Sequence, residues 1–127
     1  MIAIGIGLKS GATSSEIVTL VEEGLSRVER ETIAGLFTLA SKAHESGLSE
    51  AAAILSLPLL FLPEAALKNV ACRTESRSER VVALFGVPSI AETAALVGAG
   101  EGSSLILPRI SRGGVTCAIA KSAGDSA

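Results

Sequence analysis

Aromatic side chains are almost missing from this chain: 127 residues include three Phe, no Trp and no Tyr. A stacking platform for single-stranded nucleic acid cannot be built from so few rings. Histidine occurs once and cysteine twice, which is too few for a conventional His/Cys zinc cluster. Cys72 and Cys117 lie far apart and form no CxxC pair, so they read as reduced thiols packed as small hydrophobes. Long apolar runs are also absent. Met1 to Leu8 and the proline-interrupted Leu57 to Leu62 fall well short of the roughly 18 residues that a membrane span needs. No basic stretch precedes the first apolar run, so no signal peptide is expected. Eleven Lys and Arg against thirteen Asp and Glu leave a net charge of −2, which argues against a phosphate-backbone footprint. The expectation is a cytoplasmic protein with neither nucleic acid nor membrane as a partner, no metal site and no cofactor.

What is present is a chain with 48% hydrophobic and 19% charged residues, a balance that excludes charge-driven disorder. Its length suits one domain burying roughly 68% of its unfolded surface. Ile2 to Gly7 is an apolar, β-branched run closed by glycine and reads as a buried strand. Thr13-Ser14-Ser15-Glu16 then matches a capping box, opening a helix with Ile17, Leu20, Val21, Leu25 and Val28 on one stripe. Thr32 to Ala40 reads as a second strand and Ser41 to Gly47 as a polar loop. Leu48 to Leu57 is a helix stopped by Pro58. The prolines bracket a third strand, Pro58 to Leu62, and Pro63 opens a short helix over Glu64 to Val70.

Ala71 to Glu79 reads as an exposed loop and Glu79 to Phe85 as helical. Ser89 with Glu92 repeats the capping pattern before a helix over Ile90 to Val97, which Gly98-Ala99-Gly100 should end. Leu105 to Leu107 and Val115 to Ala120 are strands around a hairpin loop, Pro108 to Gly114. The fold class is therefore α/β: a single three-layer domain over residues 1–121, with a mostly parallel sheet of about five strands and an antiparallel C-terminal hairpin. Residues 122–127 are expected to form a flexible tail.

Ligands of open α/β sheets bind at the carboxyl ends of the strands near a switch point. That directs attention to Leu8–Thr13, Ser41–Gly47, Pro108–Gly114 and the helix start at Ser89. The first of these loops leads into a helix N-terminus, where free N–H groups and Lys9 suit a carboxylate or phosphate; a tight turn without a ligand accounts for it equally well. Gly5-x-Gly7-xxx-Gly11 has neither dinucleotide nor Walker spacing. Ser89 and Glu92 serve as a plain cap or as part of a site. His44 and Glu45 are an acid–base pair if they face a cleft, and a solvated loop otherwise. Arg109, Arg112 and Lys121 form a basic cluster that also discourages edge-to-edge strand pairing.

Gly5-Ile6-Gly7-x-Lys9-x-Gly11 with Glu16, Thr38-x-x-x-Lys42-x-x-Glu45, Gly86-Val87-Pro88-Ser89-Ile90-Ala91-Glu92-Thr93-Ala94-Ala95-Leu96 and Val115-Thr116-Cys117-Ala118-Ile119-Ala120-Lys121 occur in that order. Together they resemble the CobE/CbiG C-terminal domain family of cobalamin biosynthesis, from Ile2 to Lys121. The family often has a Cys and a second basic residue where this chain has Leu8 and Ser10, so no thiol or paired-cation role carries over to that loop. The length is similar to the stand-alone CobE form. In the CbiG form a similar domain is fused behind another region, in a hydrolase that opens a precorrin lactone and releases acetaldehyde.

The resemblance implies a precorrin or corrin acid as ligand, with other enzymes of the pathway as further partners. Such macrocycles are apolar and fringed with carboxylates. In the first loop the implied ligand-binding residues are Gly7, Lys9, Ser10, Gly11 and Thr13. Lys42 and Glu45 follow in the second, then Pro88, Ser89 and Glu92, and finally Arg109 and Lys121. If a bond is broken, His44 or Glu45 is the candidate general base and Lys42 the carboxylate anchor. A non-catalytic carrier is the companion reading, since no nucleophile elbow, metal cluster or triad is present. The alternative is a non-corrin protein that binds a small molecule, nucleotide or phosphate through the Gly-rich first loop.

Overall fold

A computed structural model describes residues 1–123; the tail expected over 122–127 lies for the most part outside them. Five strands, β1 (Ile2–Leu8), β2 (Ile33–Leu39), β3 (Leu59–Leu62), β4 (Ser104–Arg112) and β5 (Val115–Lys121), form one sheet in the order β3-β2-β1-β5-β4. The β1–β2 and β2–β3 ladders are parallel, whereas β5 runs antiparallel to both β1 and β4. Four strands thus point one way and β5 the other. The helices are α1 (Ser14–Ser26), α2 (Ser46–Leu55), α3 (Glu64–Lys68), α4 (Glu79–Phe85) and α5 (Ile90–Ala99). Among the described residues no single helix is long and apolar enough to cross a membrane.

The period-2 alternation of β1 sets the two faces of the sheet. Ile2, Ile4, Ile6 and Leu8 pack with α1, α2 and the β5 residues Val115, Cys117 and Ile119 in the larger core. The intervening positions are small: Ala3 joins Ala118, Ala120, Phe37 and the alanines of α5 in the second core. Each buried isoleucine contributes roughly 1.5–3 kcal/mol of transfer free energy. The opposite face works by close approach. A Cβ placed on Gly5 would overlap the Ala91 carbonyl.

The expected elements are present, with several shifts at their ends; α2 begins at Ser46, inside the expected loop Ser41–Gly47, which also overlaps a 3₁₀ turn over Ala40–Lys42. The helix α2 ends at Leu55 with Ser56 left-handed (φ 56°), because Leu57 precedes a proline and is pushed out of helical geometry. The helix α3 stops at Lys68, two residues short of Val70. Gly98 does not end α5, which continues to Ala99. A Cβ at Gly98 would meet the Phe37 ring at 2.5 Å, so this glycine serves packing and Gly100 is the cap. The segment Pro108–Arg112 is strand rather than loop. It belongs to edge strand β4, whose register shifts between Leu105 and Leu107 and again between Leu107 and Ile110; edge strands tolerate proline and bulges. Only Gly113 and Gly114 remain as a two-residue turn.

The two thiols differ. Cys117 is buried in the sheet, whereas Cys72 is exposed on a short 3₁₀ turn and is not the packed hydrophobe expected. Burial, with a smaller contribution from the Glu23 charge, pushes the Cys117 thiol up to about 12. Native protein at about pH 8 should therefore release one rapid equivalent in an aromatic disulfide assay, from Cys72, and a second only in denaturant. Two rapid equivalents would contradict this packing. Gly5→Ala should destabilise by about 3 kcal/mol through overpacking, read as a lowered midpoint in urea followed by circular dichroism.

Candidate functional site

The carboxyl ends of β1 and β2, the β4–β5 turn and the start of α5 come together on one edge of the sheet. Val115 lies opposite Leu8 across the β1–β5 ladder, and Lys121 lies opposite Ile2 at the far end. Two hydroxyls tie this edge: Thr38 Oγ1 donates to the Ile6 carbonyl at 2.7 Å, and Thr116 Oγ1 to the Gly7 carbonyl at 3.2 Å. Beside Thr116 opens a cleft of about 210 Å³. Its floor is Gly7, Leu8, Thr116, Gly113 and Gly114. One wall is the α5 start, Ser89 and Ile90. The other wall is α4 with its N-cap: Ser78, Arg80, Val81, Leu84 and Phe85.

Four cations line this cleft, Lys9, Lys42, Arg80 and Arg109, and no carboxylate does. Elsewhere on the molecule five cations are paired, Arg27 and Arg112 with Glu23, Lys68 with Glu64, Arg77 with Glu79, and Lys121 with Glu31, whereas among the described residues Arg30 and Arg73 have no such pair. Among the described residues none of the four cleft cations has such a partner. The Lys42 ammonium instead stands 5.9 Å from the centroid of the Phe85 ring, near the limit of a cation–π contact. Uncompensated positive charge beside apolar walls attracts an anion that also carries apolar surface.

Of the residues expected from the sequence, Gly7, Lys9, Lys42, Ser89 and Arg109 converge on this cleft. Lys121 does not; it pairs with Glu31 at the opposite end of the sheet, at 2.9 Å. Gly11, Thr13 and Glu45 line a separate shallow hollow. There Glu45 is buried, accepts the Gly11 N–H at 3.0 Å and pairs with exposed His44 at 3.1 Å. Thr13 and Glu16 complete the expected capping box. The N–H groups of Gly11, Thr13 and Glu16 are thus already satisfied within the chain. Ser10 is exposed in the first-loop turn, and the Pro88 carbonyl accepts the Ser78 N–H at 2.8 Å. Neither Ser10 nor Pro88 lines the cleft.

Glu92 departs most from its expected place. Ser89 caps α5 through the Glu92 N–H at 3.2 Å, but the Glu92 carboxylate does not reach back to complete a box. It lies fully buried behind the cleft and accepts N–H groups from Glu75 (2.9 Å), Ser76 (2.8 Å) and Arg109 (2.9 Å). The segment Ala71 to Glu79, expected as an exposed loop, carries a 3₁₀ turn over Ala71–Arg73 and is pinned at Glu75 and Ser76 by these bonds. Three donors on other segments outweigh the single one that a box would supply.

The wall formed by α4 was not anticipated. Arg80, Val81, Leu84 and Phe85 carry no sequence signal for this role; only the structure shows an apolar helix face none of whose residues is fully buried, with Leu84 60% exposed.

An open α/β sheet with a cationic crevice at its carboxyl edge defines the structural class. Comparison with known proteins gives the family. The model for the cobalamin synthesis G C-terminus matches residues 2–120, and the chain belongs to that family. It is 32% identical to Protein CobE of Sinorhizobium sp over 121 residues, covering 94% of this chain and 79% of that one. A crystal structure of CobE, described as a protein from the cobalamin (vitamin B12) biosynthetic pathway, superposes with a TM-score of 0.85 at 28% identity, over 94% of this chain and 89% of the other. The cobalamin biosynthesis protein chiG of Agrobacterium tumefaciens gives 0.75 at 35% identity, over 97% and 99%. A putative cobalamin biosynthesis protein G homolog of Sulfolobus solfataricus gives 0.69 at 26%, over 94% of this chain but 36% of that one.

Burial raises the Glu92 carboxyl, but the N–H groups of Arg109, Ser76 and Glu75 outweigh it and hold the group below the ordinary carboxylate range. A carboxyl lowered on folding contributes stability that is complete above the unfolded glutamate value, about 4.3, and is lost as pH falls through the lower folded value. Glu92→Gln should cost about 2 kcal/mol at neutral pH, and the gap from wild type should close below roughly pH 4. Urea denaturation across pH checks this; a gap of constant size would show that the carboxylate charge contributes nothing.

Proposed function

We propose that this cobalamin biosynthesis protein binds a carboxylate-rich precorrin or corrin intermediate at the cationic cleft and carries it or assists its conversion. The observation that supports this most is the gathering of Lys9, Lys42, Arg80 and Arg109 around one crevice that no carboxylate enters. Acetate and propionate arms accept charge-assisted hydrogen bonds from such groups, and the N-terminal end of α5 adds a partial positive charge. At about 210 Å³ the cleft is smaller than the roughly 300–1,000 Å³ that encloses a drug-sized ligand. It therefore takes one edge of the macrocycle, while Val81, Leu84 and Phe85 offer contact to the ring.

Carriage is the form the geometry favours. Among the described residues the cleft is lined by cations, hydroxyls and apolar groups, while Glu45 lines the other hollow and neither it nor its partner His44 lines the cleft. The alternative, a nucleotide or phosphate on the first loop, requires displacing the Glu45 carboxylate from the Gly11 N–H.

Visible-absorbance titration and co-elution with cobyrinic acid, a corrin polycarboxylate, test the reading. Binding should weaken about tenfold in Lys42→Ala and in Arg80→Ala, about 1.4 kcal/mol each, and should fall with added salt. An unchanged ligand mass after incubation indicates carriage and a new mass indicates conversion. Absence of binding, or salt-insensitive binding that both variants retain, would defeat the cleft model.

A further inference from the structure

We propose that Glu92 is the positioning residue of the cleft: a buried carboxylate that sets where Arg109 and Arg80 stand. The inference rests on the anion-binding reading above and deepens it by identifying what holds the anion-facing groups in place. Glu92 belongs to α5 but spends its carboxylate on two other parts of the chain. Its Oε2 accepts the backbone N–H of Arg109 at 2.9 Å, the residue whose side chain lines the cleft. Its Oε1 accepts Glu75 and Ser76 at 2.9 and 2.8 Å, on the segment that leads into α4 and hence to Arg80.

That segment needs a fastener. No residue of α4 is fully buried, and its apolar packing is limited to the partly buried Val81 and Phe85 against the cluster of Leu39, Leu67, Val87 and Ile90. Its leading end is held by Glu92 and by the Ser78 N–H bond to the Pro88 carbonyl, 2.8 Å. A single group with two acceptor oxygens thus ties an edge strand and a weakly packed helix to the well-packed α5. Glutamine cannot replace it, because its amide presents one acceptor and turns an N–H donor toward a backbone N–H. Aspartate keeps both acceptors and the charge, one methylene further back.

The test compares wild type with Glu92→Gln, Glu92→Asp, Arg109→Ala and the double variant Glu92→Gln/Arg109→Ala. Cobyrinic acid is the probe, and folding of each variant is verified by circular dichroism. Arg109→Ala keeps its backbone N–H, so it removes the cation without breaking the clamp. Affinity should fall about tenfold in Glu92→Gln and in Arg109→Ala, but by less than the product of the two in the double variant, because Glu92 acts partly through Arg109. Glu92→Asp should restore most of the loss. A folded Glu92→Gln that binds like wild type, or losses that multiply fully, would overturn the proposal.

A second measurement needs no ligand. In amide proton spectra, Glu92→Gln should move the Arg109 resonance furthest to higher field as its bond to Oε2 is lost, and those of Glu75 and Ser76 in the same direction as the carboxylate charge is removed. If wild type fails to bind cobyrinic acid, the anion reading falls while three joint shifts still support the clamp. Unmoved amides overturn the clamp itself.

Discussion

An alanine-rich helix can lie close to a sheet only where the strand beneath it has almost no side chain, and the seating of α5 on β1 depends on that contact. Gly5 leaves no room for a Cβ below the Ala91 carbonyl, and Ala3, Ala118 and Ala120 extend the same shallow surface. Gly98 makes the matching concession from the helix side, against the Phe37 ring. Because the approach is so close, the start of α5 arrives at the carboxyl edge of β1 beside Gly7. Ser89 and Ile90 can then form one wall of the crevice.

The charges of the crevice come from separate parts of the chain. Lys9 follows β1, Lys42 follows β2, Arg80 sits on α4 and Arg109 on β4. Bringing four cations together without internal partners is unfavourable by Coulomb's law, although solvent at the open face screens much of the repulsion. Most of the other cations are paired within the chain, whereas these four share one crevice without a carboxylate among its lining residues. The family, with its relatives named for cobalamin biosynthesis, supplies the chemical context for the anion proposed to bind there.

Local signals in the sequence were read well where local physics decides the outcome. The capping box of Thr13 and Glu16, the Ser89 cap and the apolar run of β1 all depend on neighbours within four residues. Lys9, Lys42 and Arg109 were legible as cleft cations because strand ends in α/β sheets face one edge. Lys121 was not placed correctly: antiparallel β5 carries its last residue to the opposite end, and strand direction is a property of pairing. Arg80 was missed because α4 has no burial stripe to betray its packing. Glu92 was misjudged because its partners lie 16 and 17 residues away, beyond the reach of any capping motif.

By itself the sequence determined the α/β class, the family and the capped helix starts of α1 and α5, since these rest on periodicity, capping chemistry and ordered short motifs. Tertiary structure decided which cations share a cleft, that Gly98 packs rather than caps, and that Glu92 fastens other segments rather than its own helix. The physical reason is range. Side-chain period and capping act over a few residues, whereas the convergence of charges and the destination of a buried carboxylate depend on strand order and on helices packed from distant parts of the chain.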